Sequence, residues 1–268
     1  MNFFLLFRVY LFKILFKFNY IVRKTVNEKK VLSLIKSFKI YKTNYKLIRL
    51  GEVGDGGYLL PDDLLEISAC FSGGAGNTVK FEYDLANLGI KCFIADYSVN
   101  NLPPPHHQNF IFLKKFLGIE NSDEYINFNE YIDSNIQDKH DYILKLDVEG
   151  DEYVILLNLL EQHLKKMRII VLEFHNFVNI LTPLGFEIIK MIFTKLQKNH
   201  SIVHICPNNI TPKIKFSKQL TLFDQLEITF LRNDRITEKQ PAKIFPHPLD
   251  SENNFFFDKK LPETFFKD

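Results

Sequence analysis

Two apolar runs constrain this chain more than anything else in it. Ile143-Leu144-Lys145-Leu146 leads into Asp147-Val148-Glu149-Gly150, and Val171-Leu172 leads into Glu173-Phe174-His175. Runs of Ile, Leu and Val with so few polar interruptions read as strands buried on both faces of a parallel sheet. Residues two apart in a strand point the same way, so Asp147 and Glu149 share a side, as do Glu173 and His175. Burying three carboxylates and an imidazole inside a core is costly. At the carboxyl ends of parallel strands the same groups line the crevice where open α/β sheets bind ligands. The pattern predicts an enzyme site at two strand ends.

The rest of the chain supports such a sheet. Lys46 to Leu50 and Tyr58 to Leu60 flank a Gly- and Asp-rich turn, which predicts a hairpin. Strands are expected at Ile67 to Phe71, Ile90 to Ala95, Asn109 to Leu113, Tyr142 to Leu146, Arg168 to Glu173, Ser201 to Cys206 and Gln225 to Leu231. Helices are expected at Thr78 to Leu88, Phe128 to Ser134, Asp151 to about Leu164, and Leu184 to Gln197. This alternation predicts a mostly parallel sheet with helices on both faces. The last strand follows a loop, so it can return antiparallel at or near the edge. With no repeat and no linker, a single domain over 41–268 is expected, preceded by a helical extension over 1–40.

Within that extension, Val31, Leu34, Ile35 and Phe38 recur at helical spacing. Phe3 to Phe18 is apolar and aromatic but is interrupted by Arg8, Lys13 and Lys17. A spanning helix needs about 20 largely uncharged residues, and no small-residue cleavage site follows. Two readings stay open for residues 1–24: a basic aromatic helix on the inner membrane surface, or a helix folded onto the domain. The net charge of +2 offers no electrostatic case for a nucleic-acid partner. Three cysteines without metal-ligand spacing point to a reducing, cytoplasmic setting. The tail Phe255-Phe256-Phe257 and Phe265-Phe266 is expected to pack rather than bind.

Phe71-Ser72-Gly73-Gly74-Ala75-Gly76-Asn77 follows the first strand of the alternation and precedes a helix. Glycines at such a turn let the backbone approach a nucleotide closely. Asp96 ends the next strand, where an acid can hydrogen-bond a ribose hydroxyl. Ser72, Gly73, Gly74, Gly76 and Asp96 are therefore candidate cofactor-binding residues, with Asp55 a further candidate from the hairpin. A dinucleotide fingerprint would require another glycine near Val79. Its absence favours an adenosine cofactor without a pyrophosphate, such as S-adenosylmethionine, over NAD.

Several of these stretches resemble the FkbM-type methyltransferase family. They are Gly54-Asp55-Gly56-Gly57-Tyr58-Leu59, Cys70-Phe71-Ser72-Gly73-Gly74-Ala75, Leu144-Lys145-Leu146-Asp147-Val148-Glu149-Gly150-Asp151-Glu152 and Leu172-Glu173-Phe174-His175. Val203 to Asn209, Leu226 to Phe230 and Phe245 to Asp250 also fit. The resemblance runs from about Leu50 to Asp250. It implies a Rossmann-like seven-stranded fold and S-adenosylmethionine-dependent transfer to a hydroxyl, often of a bacterial surface sugar. The chain departs from the usual methyltransferase pattern where an acid ends the first strand, since Phe71-Ser72 stands there.

Methyl transfer to a hydroxyl needs positioning and removal of a proton. His175 is the candidate base, with Glu149 and Glu173 as further catalytic candidates. The rival is a Mg or Mn ion held by Asp147, Glu149 and Glu173, with His204 as a fourth ligand. Against these stand plainer roles: a helix cap for Asp147 or Glu149, a core position for His204, and turn positions for Asp55 and His247. The function expected is O-methylation of a sugar hydroxyl in a surface glycan or its precursor. The alternatives are an inactive nucleotide-binding or scaffold protein with this fold, and a sugar-nucleotide oxidoreductase. The Tyr-x-x-x-Lys spacing of the latter is not met in Tyr41-Lys42-Thr43-Asn44-Tyr45-Lys46.

Overall fold

The structure, a computed structural model, describes residues 3–19, 22–136, 140–210, 213–253 and 259–266. Two helices, α1 (Phe3–Lys17) and α2 (Glu28–Lys36), precede the short β1 (Tyr41–Thr43) and a hairpin of β2 (Leu47–Gly51) and β3 (Gly57–Pro61). Next, β4 (Ile67–Gly73) leads through α3 (Lys80–Asn87) to β5 (Lys91–Ala95) and then β6 (Phe110–Leu113). A small pair, β7 (Phe116–Gly118) and β8 (Tyr125–Asn127), and α4 (Phe128–Asn135) precede β9 (Asp141–Leu146). Helices α5 (Glu152–Asn158) and α6 (Glu161–Leu164) carry the chain to β10 (Met167–Phe174), and α7 (Pro183–Gln197) carries it to β11 (His200–Pro207). The pair β12 (Ile214–Lys215) and β13 (Thr221–Leu222) leads to β14 (Leu226–Arg232), and β15 (Lys239–Pro241) pairs with β1.

Seven strands form the main sheet in the order β6-β5-β4-β9-β10-β14-β11, which is 3-2-1-4-5-7-6 when they are numbered along the chain. Neighbours are parallel except β14, which runs antiparallel to both β10 and β11. This is a Rossmann-like seven-stranded fold. The order reverses between β4 and β9, the switch point where open α/β sheets form a crevice. Alternate residues of β10 serve opposite cores: Ile170, Leu172 and Phe174 join one buried cluster, Ile169 and Val171 the other. That two-sided burial explains the unbroken apolar run in the sequence.

The expected boundary after residue 40 moves. Val31, Ile35 and Phe38 are fully buried, Phe38 stacks on Phe193 at 3.8 Å, and Ile40 bridges Ile202 of β11. Residues 28–40 therefore belong to the domain, because their apolar stripe closes the core beneath α7. The single helix expected from Asp151 to Leu164 is two. Lys195 on α7 donates to the carbonyls of Leu156 and Leu157, at 2.8 and 2.9 Å, and to that of Leu159. These are end carbonyls that a helix leaves unpaired, so a side chain from α7 finishes α5. The amide of Leu160 then turns to Asn129 Oδ1 at 2.9 Å. In the tail Phe265 is buried and Phe266 stacks on Phe245, whereas Phe255, Phe256 and Phe257 lie outside the described residues.

Candidate active site

A cavity of about 500 Å³ opens at the carboxyl ends of β4, β5, β9 and β10, within the usual range for small-ligand sites. Seven carboxylates line it, from Asp55, Glu82, Asp96, Asp147, Glu149, Asp151 and Glu173, against the cations Lys145 and His175. One half is built on the glycine loop. Gly74 has φ +87°, and a Cβ there would stand 1.9 Å from the Asp147 carbonyl oxygen. Only glycine lets the loops after β4 and β9 touch in this way. Lys145 Nζ ties them together by donating to the Gly74 carbonyl at 2.6 Å.

Asp96, just past β5, holds the same loop. Its Oδ2 accepts the amides of Ala75 and Gly76 at 2.8 and 3.0 Å, and its Oδ1 accepts the amide and hydroxyl of Ser98 at 2.8 and 2.7 Å. Burial pushes its pKa up, but donation from Ser98, Gly76 and Ala75 outweighs this and holds it below the ordinary carboxylate value. Asp96, Gly74, Gly76 and Asp55 all line the cavity.

Ser72 and Gly73 do not. Ser72 is fully buried and donates its hydroxyl to Glu82 Oε1, while Gly73 is walled in by Leu117, Val148 and Leu146. Both still lie in β4, so sheet and core enclose them. Glu82, in the first turn of a helix, is an acid that the strand-end pattern does not reach. It projects from α3, is 1% exposed, and lies 4.0 Å from Lys145 Nζ. Its carboxylate thus reaches the end of β4, where the sequence itself lacks an acid. The available signal was an acid three and four residues before Leu85 and Ala86, on the apolar face of its helix.

The other half gathers around His175. The strand β9 stops at Leu146, and Glu149 takes a left-handed turn with φ +55° before Gly150 at +117°. Asp147 and Glu149 therefore converge through a turn, not through the strand alternation expected. A non-glycine residue in this conformation costs about 1 kcal/mol or more, which packing around it must over-determine. His175 lies one residue past β10. Its Nε2 stands 3.5 Å from Glu149 Oε2, 3.8 Å from Asp147 Oδ1 and 4.0 Å from Glu173 Oε1. Its Nδ1 pairs with Glu152 Oε1 at 2.5 Å, deep in the first turn of α5.

Further residues hold these acids in place. Tyr58 donates to Asp147 Oδ2 at 2.8 Å, and Lys145 Nζ approaches the same oxygen at 3.6 Å. Asn208 donates to Glu173 Oε1 at 2.7 Å. Burial pushes Glu173 up to about 8, helped by the charges of Asp147 and Glu227. Burial alone would lower His175, but its hydrogen bond to Glu152 and the charges of Glu152, Glu173 and Asp147 raise it to about 9. These neighbouring carboxylates favour the protonated ring, unlike the free imidazole titrating near neutrality on which the base reading depends.

His204 stands apart. It lies on β11, with β14 between it and β10, so it is two strand spacings, or roughly 10 Å, from Glu173. Its Nε2 faces Asp250 Oδ1 at 2.9 Å, and it does not join the acids of the cavity. The imidazole nearest Asp147, Glu149 and Glu173 is His175.

No protein family matches the chain, and no curated protein does. Among solved structures it is similar to the Methanococcus jannaschii fibrillarin pre-rRNA processing protein, at 12% identity and a TM-score of 0.38, covering 70% of this chain and 83% of the other. A fibrillarin/Nop5p complex is similar at 12% identity and a TM-score of 0.38, covering 65% and 76%. A 16S rRNA (adenine(1408)-N(1))-methyltransferase from Catenulisporales acidiphilia is similar at 9% identity and a TM-score of 0.31, covering 74% and 100%.

Proposed function

We propose that this protein is an S-adenosylmethionine-dependent O-methyltransferase of the FkbM type, acting on a sugar hydroxyl of a surface glycan or its precursor. One observation carries the reading: a single cavity joins the Gly74–Asp96 loop to the His175 cluster across the sheet's switch point. The loop half suits an adenosyl group, since Gly74 keeps its backbone bare and Asp96 stands at the end of the second core strand. Glu82 and Asp96 offer carboxylates to the amino and ribose groups of such a cofactor. When bound, the cofactor supplies an electrophilic methyl group on a positively charged sulfur.

The chain's own residues then have three tasks. The cavity walls hold the acceptor oxygen in line with the methyl carbon. The strand-end cluster would take the hydroxyl proton released on transfer. The excess of carboxylates repels phosphate-bearing acceptors, which favours a neutral sugar over a nucleic acid.

Calorimetry with S-adenosylhomocysteine and NAD, joined to transfer of a labelled methyl group onto sugar acceptors, tests the reading. Binding of S-adenosylhomocysteine and labelled methyl ether formation are expected. NAD binding without S-adenosylhomocysteine binding would favour the oxidoreductase. Tight S-adenosylhomocysteine binding with no turnover on any hydroxyl would favour the scaffold.

A further inference from the structure

We propose that His175 Nε2, Asp147 Oδ1 and Glu149 Oε2 form a binding site for a divalent cation of the Mn²⁺ class, with Glu173 in reach as a fourth ligand. Only the cation's purpose rests on the methyl-transfer reading; its binding does not. Ligand atoms of Asp147, Glu149 and His175 lie within 4.8 Å of one another. His175 is 5% exposed, and its Nε2 makes no hydrogen bond among the described residues, although it points at three carboxylates. Separations of 3.5, 3.8 and 4.0 Å are long for hydrogen bonds. They suit atoms that each stand about 2.1 Å from a common ion, which places the ligands roughly 3–4 Å apart.

The surroundings carry the inference further. A metal-ligating histidine almost always donates its other ring nitrogen to a carboxylate or carbonyl, which fixes the tautomer. Here Nδ1 of His175 has the fully buried Glu152 carboxylate to donate to. Tyr58 and Lys145 hold Asp147 by Oδ2 and leave Oδ1 facing Nε2, while Asn208 holds Glu173. A mixed set of one imidazole and carboxylates favours Mn²⁺ over Mg²⁺, which prefers oxygen alone. Such an ion would lower the pKa of a bound hydroxyl directly. It would also select sugars with two adjacent hydroxyls able to chelate it.

Loss of the free Mn²⁺ electron paramagnetic resonance signal on titration into chelator-treated full-length protein measures the site directly. One Mn²⁺ per chain is expected, with Mg²⁺ competing only at higher concentration. His175→Ala and Asp147→Asn should each weaken Mn²⁺ at least tenfold. Glu152→Gln, which touches no ion, should weaken it about tenfold. S-adenosylhomocysteine affinity serves as the folding control, and Glu152→Gln should leave it unchanged. Absence of Mn²⁺ binding below millimolar concentration, or undiminished binding by His175→Ala, would overturn the site. Intact S-adenosylhomocysteine binding without Mn²⁺ would sink the metal and leave the methyl-transfer reading standing; the reverse pattern would do the opposite.

A separate observation concerns the amino-terminal helix. From residue 7 to residue 19 no side chain is buried, with Phe7 60%, Tyr10 66%, and Phe16 and Phe18 each 70% exposed. No acid precedes Glu28, while Arg8, Lys13, Lys17, Arg23 and Lys24 are all basic. At about 1.5 Å per residue the 15-residue helix falls short of a ~30 Å hydrocarbon core. No helix among the described residues is long and apolar enough to cross a membrane. We infer that α1 binds an anionic bilayer surface, its exposed aromatics entering the interface and its cations meeting the headgroups. The full-length protein should sediment with phosphatidylglycerol-containing vesicles and not with pure phosphatidylcholine. The triple variant Arg8→Glu, Lys13→Glu, Lys17→Glu should lose sedimentation and keep S-adenosylhomocysteine binding. Full-length protein that stays in the supernatant, or that binds both vesicles equally, would overturn the inference.

Discussion

The strands β9 and β10 carry buried charge at both ends, and the two ends are built on opposite principles. At the amino ends, Asp141 meets Arg168 at 2.8 Å and Arg232 at 2.6 Å, and Asp63 meets Arg235 at 2.8 Å and Arg168 at 3.3 Å. Each acid there has two guanidinium partners. At the carboxyl ends Asp147 and the buried Glu173, with the exposed Glu149 beside them, crowd one imidazole and one ammonium. The first arrangement neutralises charge and closes the bottom of the sheet. The second leaves carboxylate in excess where the chain opens to a cavity, which a purely structural cluster has no reason to do. Buried charge marks function only where its pairing is left incomplete.

The largest expected effect is on the paired end. Arg168→Ala should cost about 3 kcal/mol in urea unfolding, because it strips a buried donor from two acids at once. Glu173→Gln, at the unpaired end, should cost little, since a carboxyl raised to about 8 already sits there largely uncharged at neutral pH. Equal destabilisation by both would erase the distinction between the ends. Next in size, Asp96→Ala should weaken S-adenosylhomocysteine about ten- to a hundredfold in calorimetry, or roughly 1.5–3 kcal/mol. An unchanged affinity in the folded variant would remove Asp96 from the cofactor site.

The pH response is the most diagnostic, because the two ends should move in opposite directions. Glu173 and His175 are raised to about 8 and about 9, above their ordinary 4.5 and 6.5. The folded chain then holds protons that the unfolded chain would release, so their contribution is full below the unfolded values. It is lost as pH rises through about 8 and about 9. For Asp141, burial raises the pKa but its bonds to Arg232 and Arg168 lower it below the ordinary 3.8. That contribution is present above 3.8 and lost as pH falls through the lowered value. Urea midpoints should drop on both flanks, with Glu173→Gln flattening the alkaline flank alone. A symmetric change in that variant would show the two ends to be coupled.

Much of this was legible from the chain itself, for reasons tied to particular residues. The seven core strands announced themselves because two-sided burial leaves uninterrupted apolar runs, as at Ile169 to Leu172. Asp147, Glu173 and His175 stood out as polar groups closing such runs. What escaped notice was partnership across long sequence distances. Glu152 reads as an ordinary helix-start acid until His175, 23 residues on, arrives beside it. Tyr58 and Asn208 reach the site from a hairpin and from the loop after β11, and no periodicity links them to Asp147 or Glu173. His204 misled because an imidazole near a strand end looks alike whether it faces Asp250 or the cavity. Ser72 and Gly73 lie inside β4 because the glycine loop begins one residue later than the glycine run.

The placement of β14 has a consequence for how the molecule is made. It is the last of the seven core strands to leave the ribosome, yet it occupies a slot between β10 and β11, not an edge. Until Leu226–Arg232 is synthesised, β10 and β11 have no shared neighbour, and the facing edges of both remain open. Strand pairing of such long sequence separation is slow and leaves unpaired edges exposed meanwhile. The nascent chain therefore carries a gap in its sheet from the completion of β11 at Pro207 until β14 is made, and a copy ending before residue 226 would keep that gap permanently. The completeness of the sheet therefore hangs on that one slot being filled.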